Sequence, residues 1–351
     1  MQLVENKNIL SKLPAALLPW FECKQRQLPW RADRDPYHVW VSEIMLQQTR
    51  VEAVKGYYTR FIERLPSVAS LAEADDMLLQ KLWEGLGYYS RVRNLKKAAI
   101  QIMEVHNGVF PEEHEQVLKL PGIGQYTAGA ICSIAFDKPT PAVDGNVLRV
   151  VSRLTDDSTC VDSPAFQKYV RQSLAEVYPA QAGAFTQALM ELGATVCGPN
   201  CKPDCEHCPC ADFCLGRKNK TCEALPVKKG KAPRRTEEYT VFILRCNGHY
   251  ALEKRPETGL LAQLWQFPNT PGIFDDASAI SKVEELSLKP REMLMVVERK
   301  HIFTHVEWHM RGVYLEVSDM SDHYSWFTGE QLKNEVGLPT AFRQFLEGYD
   351  I

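Results

Sequence analysis

Six cysteines fall between Cys197 and Cys214, and four of them, Cys197, Cys205, Cys208 and Cys214, read C-x7-C-x2-C-x5-C with Pro209 directly after the third. Thiolates this crowded either cross-link or bind metal. Residues 1–20 carry no basic start, apolar run or small-residue cleavage site, so a secretory leader is not expected and metal binding is the preferred reading. Zinc usually takes two close pairs separated by a longer loop. Here only one pair is two residues apart and the ligands share one compact loop, 197–214, which suits an iron–sulfur cube held by four thiolates. A zinc loop stays open at this point, and Cys201 and Cys210 are alternative ligands.

Two carboxylates have contrasting surroundings. Glu43 lies in Pro36-Tyr37-His38-Val39-Trp40-Val41-Ser42-Glu43-Ile44-Met45-Leu46-Gln47-Gln48-Thr49. Helical spacing puts Val39 and Leu46 on its face, with Trp40 and Ile44 flanking. A carboxylate among apolar neighbours titrates high and can serve as a general acid near neutral pH. Asp144, in Pro141-Ala142-Val143-Asp144-Gly145-Asn146-Val147, stands where a helix begins and reads first as an N-cap. The helix dipole and backbone donors are expected to keep it ionised, which suits stabilising a developing cation. Carboxylates whose titrations diverge can divide acid and counter-charge roles between them. The plain alternative for Glu43 is a surface position on an amphipathic helix.

Leu120-Pro121-Gly122-Ile123-Gly124-Gln125-Tyr126-Thr127-Ala128 reads as a helix end, a tight turn and a new helix opening near Gln125. Glycines permit positive φ and close approach, and the free N–H groups of a helix N-terminus can bind a phosphate. This is a helix-hairpin-helix pattern; an ordinary αα turn is the alternative.

The elements around these residues divide the chain. Apolar residues recur at helical spacing in Val51–Leu65, Met77–Leu86, Ala98–His106, Thr127–Phe136, Val147–Leu154 and Phe166–Val177. After a Pro- and Lys-rich stretch the pattern changes. Tyr239–Leu244 is a β-branched and aromatic strand, Asn247-Gly248 a hairpin turn leading into Tyr250–Leu252, and Arg311–Val317 a further strand. The expected organisation is a mainly α domain, 1–224, then a linker, 225–236, then an α+β domain, 237–351. A formal net charge of −3 leaves any nucleic-acid contact to local basic patches such as Arg91, Arg93, Lys96 and Lys97, or Lys228–Arg235. No apolar run approaches the ~18 residues that span a bilayer.

Together these motifs resemble the endonuclease III, or helix-hairpin-helix, superfamily of DNA glycosylases. Leu28-Pro29-Trp30-Arg31, Ser42–Thr49, Gly85-Leu86-Gly87-Tyr88-Tyr89-Ser90-Arg91 and Val143–Val147 resemble its MutY-type branch, the adenine DNA glycosylases, and the likeness covers nearly the whole chain. The resemblance implies a base excision repair enzyme acting on duplex DNA with adenine opposite 8-oxoguanine, carrying a 4Fe-4S cluster on Cys197, Cys205, Cys208 and Cys214. It implies a monomer with no membrane association, in a bacterial-type cytoplasm at the nucleoid. Glu43 would protonate the adenine, Asp144 would stabilise the sugar cation, Asn146 would orient Asp144, and Tyr126 would assist in the pocket. Gln48 and Tyr88 would wedge into the duplex. Arg31, Thr49, Gly122, Gly124 and Gln125 would complete the DNA contacts. Superfamily members that also cut the strand carry a lysine where this chain has Tyr126, and a phenol forms no imine, so a lyase step is not expected.

Leu261–Pro268 gives the last domain its likeness to a Nudix module, without the glutamate-rich hydrolytic signature. By resemblance, Phe303, Thr304 and His305 stand in the loop that meets 8-oxoguanine. The family's first cysteine gap is one residue shorter than the gap here. Two other classes stay in view: a Nudix-type nucleotide hydrolase and a redox-sensing DNA-binding protein.

Overall fold

A computed structural model describes residues 2–199, 202–230 and 232–347, with residues 2–5 as backbone only. Cys201, an alternative ligand above, lies outside the described residues. The chain forms two compact units, Met1–Glu73 with Asn94–Gly230, and Ala74–Arg93 with Lys231–Ile351. This grouping departs from the linear division at 225–236. Ala74–Arg93 joins the second unit because its partners are there. The Leu338 N–H donates to Glu84 Oε1 (3.1 Å), Lys81 Nζ donates to Lys333 O (2.6 Å), and Met77 packs against that unit's core.

The first unit is helical. Four of its helices position the residues singled out above: α1 (Pro36–Leu46), α2 (Gln125–Phe136), α3 (Gly145–Leu154) and α4 (Ala182–Thr195). Asp35 caps α1 by accepting from the Tyr37 N–H, and Pro36 fills a position where a missing N–H costs nothing. Seven consecutive residues of α1, Val39–Met45, are buried, so it is a core helix and not the amphipathic surface helix left open for Glu43. The turn before α2 depends on Gly122. It sits at φ 77°, and a Cβ there would come within 2.6 Å of the Asn94 Cβ. Gly124 is different: it caps α2 in extended backbone with open space around it, so positive φ is not its role.

The second unit is α+β. Its strands are β1 (Arg235–Cys246), β2 (His249–Lys254), β3 (Trp265–Gln266), β4 (Asn269–Pro271), β5 (Pro290–Ile302), β6 (Val306–Val317) and β7 (Ser325–Thr328). The sheet order is β3-β2-β1-β6-β5, with β4 on β1 and β7 on β2; only β1 and β6 run parallel. Asn247 and Gly248 both take positive φ and join β1 to β2 in the expected two-residue hairpin. Side-chain alternation along β1 builds two cores. Val241 and Ile243 face Trp308, Phe342 and Phe345, whereas Phe242 and Leu244 face Ala279, Val283 and Leu315. Among the described residues no helix is long and apolar enough to cross a membrane.

Candidate active site, cysteine cavity and second-unit pocket

A cavity of about 700 Å³ opens in the first unit and gathers Arg31, Glu43, Gln48, Thr49, Gly124, Gln125, Tyr126, Asp144 and Asn146. Glu43 comes from the buried face of α1 and is 5% exposed. Burial raises its carboxyl from 4.5 to about 7; the Tyr126 hydroxyl, donating to Oε2 at 2.6 Å, pulls the other way, and the charge of Asp144 adds to the rise. Tyr126 is itself held well above the ordinary tyrosine range by burial and by Glu43, so it remains a hydroxyl donor.

Asp144 caps α3 as expected, accepting from the Val147 N–H at 2.8 Å and the Asn146 amide at 2.6 Å. These donors favour the ionised form, as expected of a cap, but they are not the largest influence. Burial outweighs them and raises its carboxyl too. Both carboxyls therefore favour the proton more than free residues do, and the two differ in how many donors oppose that rise.

Gln48 is exposed at the rim with φ 58°, a left-handed backbone that costs a non-glycine residue roughly 1–2 kcal/mol. Thr49 is half-buried beside it. Arg31 turns inward: its guanidinium lies 5.3 Å from the Phe21 ring and donates to Glu191 at 2.8 Å. The hairpin residues Gly122, Gly124 and Gln125 are exposed, and no side chain caps α2, so its first N–H groups stay open to solvent.

Cys197, Cys205, Cys208 and Cys214 line a second, smaller cavity of the same unit. Every described cysteine is a free thiol. Arg153, 3% exposed, donates from Nη1 to Cys197 Sγ at 3.2 Å, and the Cys214 thiol donates to Arg153 O at 3.5 Å. A buried guanidinium aimed at sulfur suits thiolate ligands. Cys210 does not line this cavity; it is fully buried in the apolar core, and its hydrogen bond draws the Cys208 thiol down to about 7. Among the described residues no three His, Cys, Asp or Glu side chains converge as a single metal ion needs. Lys202, Arg217, Lys218 and Lys220 are exposed around the loop.

The remaining predicted residues meet in a pocket of about 570 Å³ within the second unit, lined by Tyr88, Arg93, Leu261, Phe303, Thr304 and His305 among others. Tyr88 is exposed at φ 49°, while its neighbour Tyr89 is buried. The Tyr88 and Thr304 hydroxyls are hydrogen-bonded, and Arg93 Nη1 donates to Ala262 O at 2.6 Å. Phe303 is half-buried, its ring 4.9 Å from Trp308 and 4.5 Å from His301, so it supports the core as well as the pocket. His305 is exposed.

Comparison with known proteins agrees with this layout. Residues 41–176 match the model of the HhH-GPD superfamily base excision DNA repair proteins, and residues 240–348 that of the NUDIX domain. An adenine DNA glycosylase of Buchnera aphidicola is 32% identical, with 94% of each chain covered. The adenine DNA glycosylase of Rattus norvegicus is 33% identical over 95% of this chain and 77% of its own length. That of Arabidopsis thaliana is 35% identical over 89% of this chain, which spans 58% of the relative's length. The chain belongs to the adenine DNA glycosylase family.

Solved structures agree on the fold. A thermostable thymine-DNA glycosylase superposes with TM-score 0.55 at 25% identity, covering 62% of this chain and all of its own. An endonuclease III trapped on DNA superposes with TM-score 0.51 at 23% identity, covering 61% of this chain and 98% of its own. As a member of this family the chain is a DNA glycosylase, with DNA as its substrate.

Sequence reasoning missed one part of the cavity in this family member. Glu191, on α4, is buried beneath Arg26 and Arg31. Burial alone would raise its carboxyl, but the bidentate Arg26 contact (2.7 and 3.0 Å) and Arg31 hold it below the ordinary glutamate value. The available signal was a single acid in the otherwise apolar run Ala188-Leu189-Met190-Glu191-Leu192.

Proposed function

We propose that the chain hydrolyses the N-glycosidic bond of adenine paired with 8-oxoguanine, or with G, in duplex DNA, without a lyase step. The observation that carries this reading is the pair Glu43 and Asp144 in one cavity, with the Glu43 carboxyl raised by burial to about 7 and hydrogen-bonded by Tyr126. In the proposed reaction Glu43 donates its proton to N7 of an extruded adenine. The N9–C1′ bond then breaks with its electrons staying on the base. Asp144, oriented by Asn146, faces the cationic sugar, and water adds at C1′ while Glu43 takes up the water's proton. Tyr126, in the place of the lyase lysine, offers no amine to attack the sugar.

Gln48 and Tyr88 are the proposed wedges that fill the gap left by the base. The open N-terminus of α2 and the Gly122–Gly124 turn are the proposed phosphate contacts. Phe303, Thr304 and His305, with the Tyr88 hydroxyl, are the proposed readers of the opposite base. Arg31 and Thr49 belong to the adenine side of the site. Monomeric action at the cytoplasmic nucleoid is part of the same proposal.

The cysteine cavity fits a 4Fe-4S cluster: four thiols line its wall, spread wider than a single ion needs, and a buried guanidinium faces one sulfur. Cys197, Cys205, Cys208 and Cys214 would hold it. When bound, the cluster would brace the basic loop and take no part in hydrolysis. The reading is tested by single-turnover excision with Glu43→Gln on duplexes carrying A opposite 8-oxoguanine. Loss of a general acid costs about 10²–10⁴-fold. A variant that cleaves at the wild-type rate while binding the duplex would overturn the assignment.

A further inference from the structure

The cysteine cavity holds a fifth thiol that the spacing argument did not include. Cys222 lines the same cavity as Cys197, Cys205, Cys208 and Cys214 and is 8% exposed. Its side chain stands at the wall of the cavity next to Gly216. The placement is built by the chain. After the short helix Leu215–Lys218 the backbone doubles back, and the Thr221 N–H donates to Gly216 O at 2.9 Å. Asp156 pins this return, accepting from the Asn219 amide at 2.8 Å and from the Thr221 hydroxyl. The return also depends on Gly216, where a Cβ would lie 3.2 Å from Cys222 Sγ and 2.4 Å from Arg153 O. Cys210, by contrast, does not line the cavity: it is buried in the apolar core against which Cys197, Cys208 and Cys214 pack. Of the described cysteines beyond the four proposed ligands, Cys222 is the one that lines the cavity.

We infer that Cys222 is a reserve ligand of the iron–sulfur site, able to replace Cys205 or Cys214 when either sulfur is lost. The inference rests on the cluster reading above. A thiol already lining the cavity needs a side-chain rotation and a deprotonation to take the vacant iron position. Such a replacement keeps the ligand count at four thiolates.

The test is iron per chain and the visible thiolate-to-iron absorbance of full-length protein purified without oxygen. Circular dichroism of each variant reports folding. Cys222→Ser alone is expected to keep the wild-type iron content. Cys205→Ser and Cys214→Ser are each expected to keep most of it, with a shifted absorbance band. The double variants Cys205→Ser/Cys222→Ser and Cys214→Ser/Cys222→Ser are expected to lose iron roughly tenfold relative to their single parents. If both single variants are as empty as the doubles, or if the doubles hold as much iron as the singles, the reserve role is wrong while the cluster reading stands. Wild-type protein free of iron would instead overturn the cluster reading and, with it, this one.

Discussion

The two larger cavities handle charge in opposite ways. In the first unit, acids are buried on purpose: Glu43 against Tyr126, Glu191 beneath Arg26 and Arg31, and Asp144 on a helix N-terminus. The second-unit pocket has no buried acid among its lining residues. Hydroxyls, apolar side chains and His301, which burial holds below the ordinary histidine value, make its wall, with Arg93 and Arg235 for charge. The first arrangement can change protonation state during a reaction. The second is suited to discriminate by shape, stacking and hydrogen-bond donors. Chemistry and lesion reading, as proposed here, therefore need different dielectric designs, and one chain carries both.

Apart from loss of Glu43 itself, the largest effect that would test this contrast is removal of the other buried acid. Glu191→Ala leaves Arg31 without its partner inside the cavity, and breaking a buried pair costs about 3–5 kcal/mol. Denaturant unfolding is expected to show this loss, with Glu191→Gln losing less because it keeps a hydrogen-bond acceptor. A stability change within measurement error would mean that the network is solvated and the contrast is overstated.

Glu43 itself links stability to pH. Its folded carboxyl titrates near 7 against 4.5 when unfolded, so between those values the native state holds the proton more tightly. That contribution is fully present below pH 4.5 and is lost as pH rises through about 7. The shift corresponds to roughly 3 kcal/mol. Melting curves from pH 5 to 8 (about the window of the shift) are expected to show Glu43→Gln gaining on the wild type as pH rises. The inactive variant would then be the more stable one at alkaline pH. Parallel pH profiles for the two proteins would remove the buried-acid argument.

The second pocket should show weaker, selective effects. Phe303→Ala with His305→Ala is expected to reduce the preference for A opposite 8-oxoguanine over A opposite G by roughly ten- to hundredfold. This is the scale of a lost stacking or base-edge contact of ~1–3 kcal/mol. The rate on A opposite G should change little. An equal loss on both substrates would place these residues in folding, through the Phe303–Trp308 contact, and not in discrimination.

The smallest effect concerns Tyr126. Its hydroxyl favours the ionised form of Glu43, so Tyr126→Phe removes a lowering influence and the Glu43 carboxyl rises further. Excision needs that carboxyl protonated, so the falling alkaline limb of the pH–rate profile is expected to move to higher pH. A limb that moves to lower pH would reverse the sign assigned to this hydrogen bond.

Much of this protein was legible in order along the chain. The helical run around Glu43, the Gly122–Gly124 turn, the cysteine spacing and the alternation in Tyr239–Leu244 are local patterns, and local periodicity and turn chemistry report on them directly. Asp144 was legible as a cap for the same reason. Its raised titration was not, because desolvation is set by what packs around a group, and that is absent from its own segment. Contacts across long sequence separations were equally hidden: Glu43 to Tyr126, Arg26 and Arg31 to Glu191, and Ala74–Arg93 joining the second unit. Cys222 belongs with these, since only the return over Gly216 brings its sulfur to the other four. The sequence by itself determined which residue types were available and which helices and strands would carry them. Tertiary packing decided which side chains share a cavity and which lose their water, and the withdrawal of water is what turns an ordinary carboxyl into an acid that still holds its proton near neutral pH.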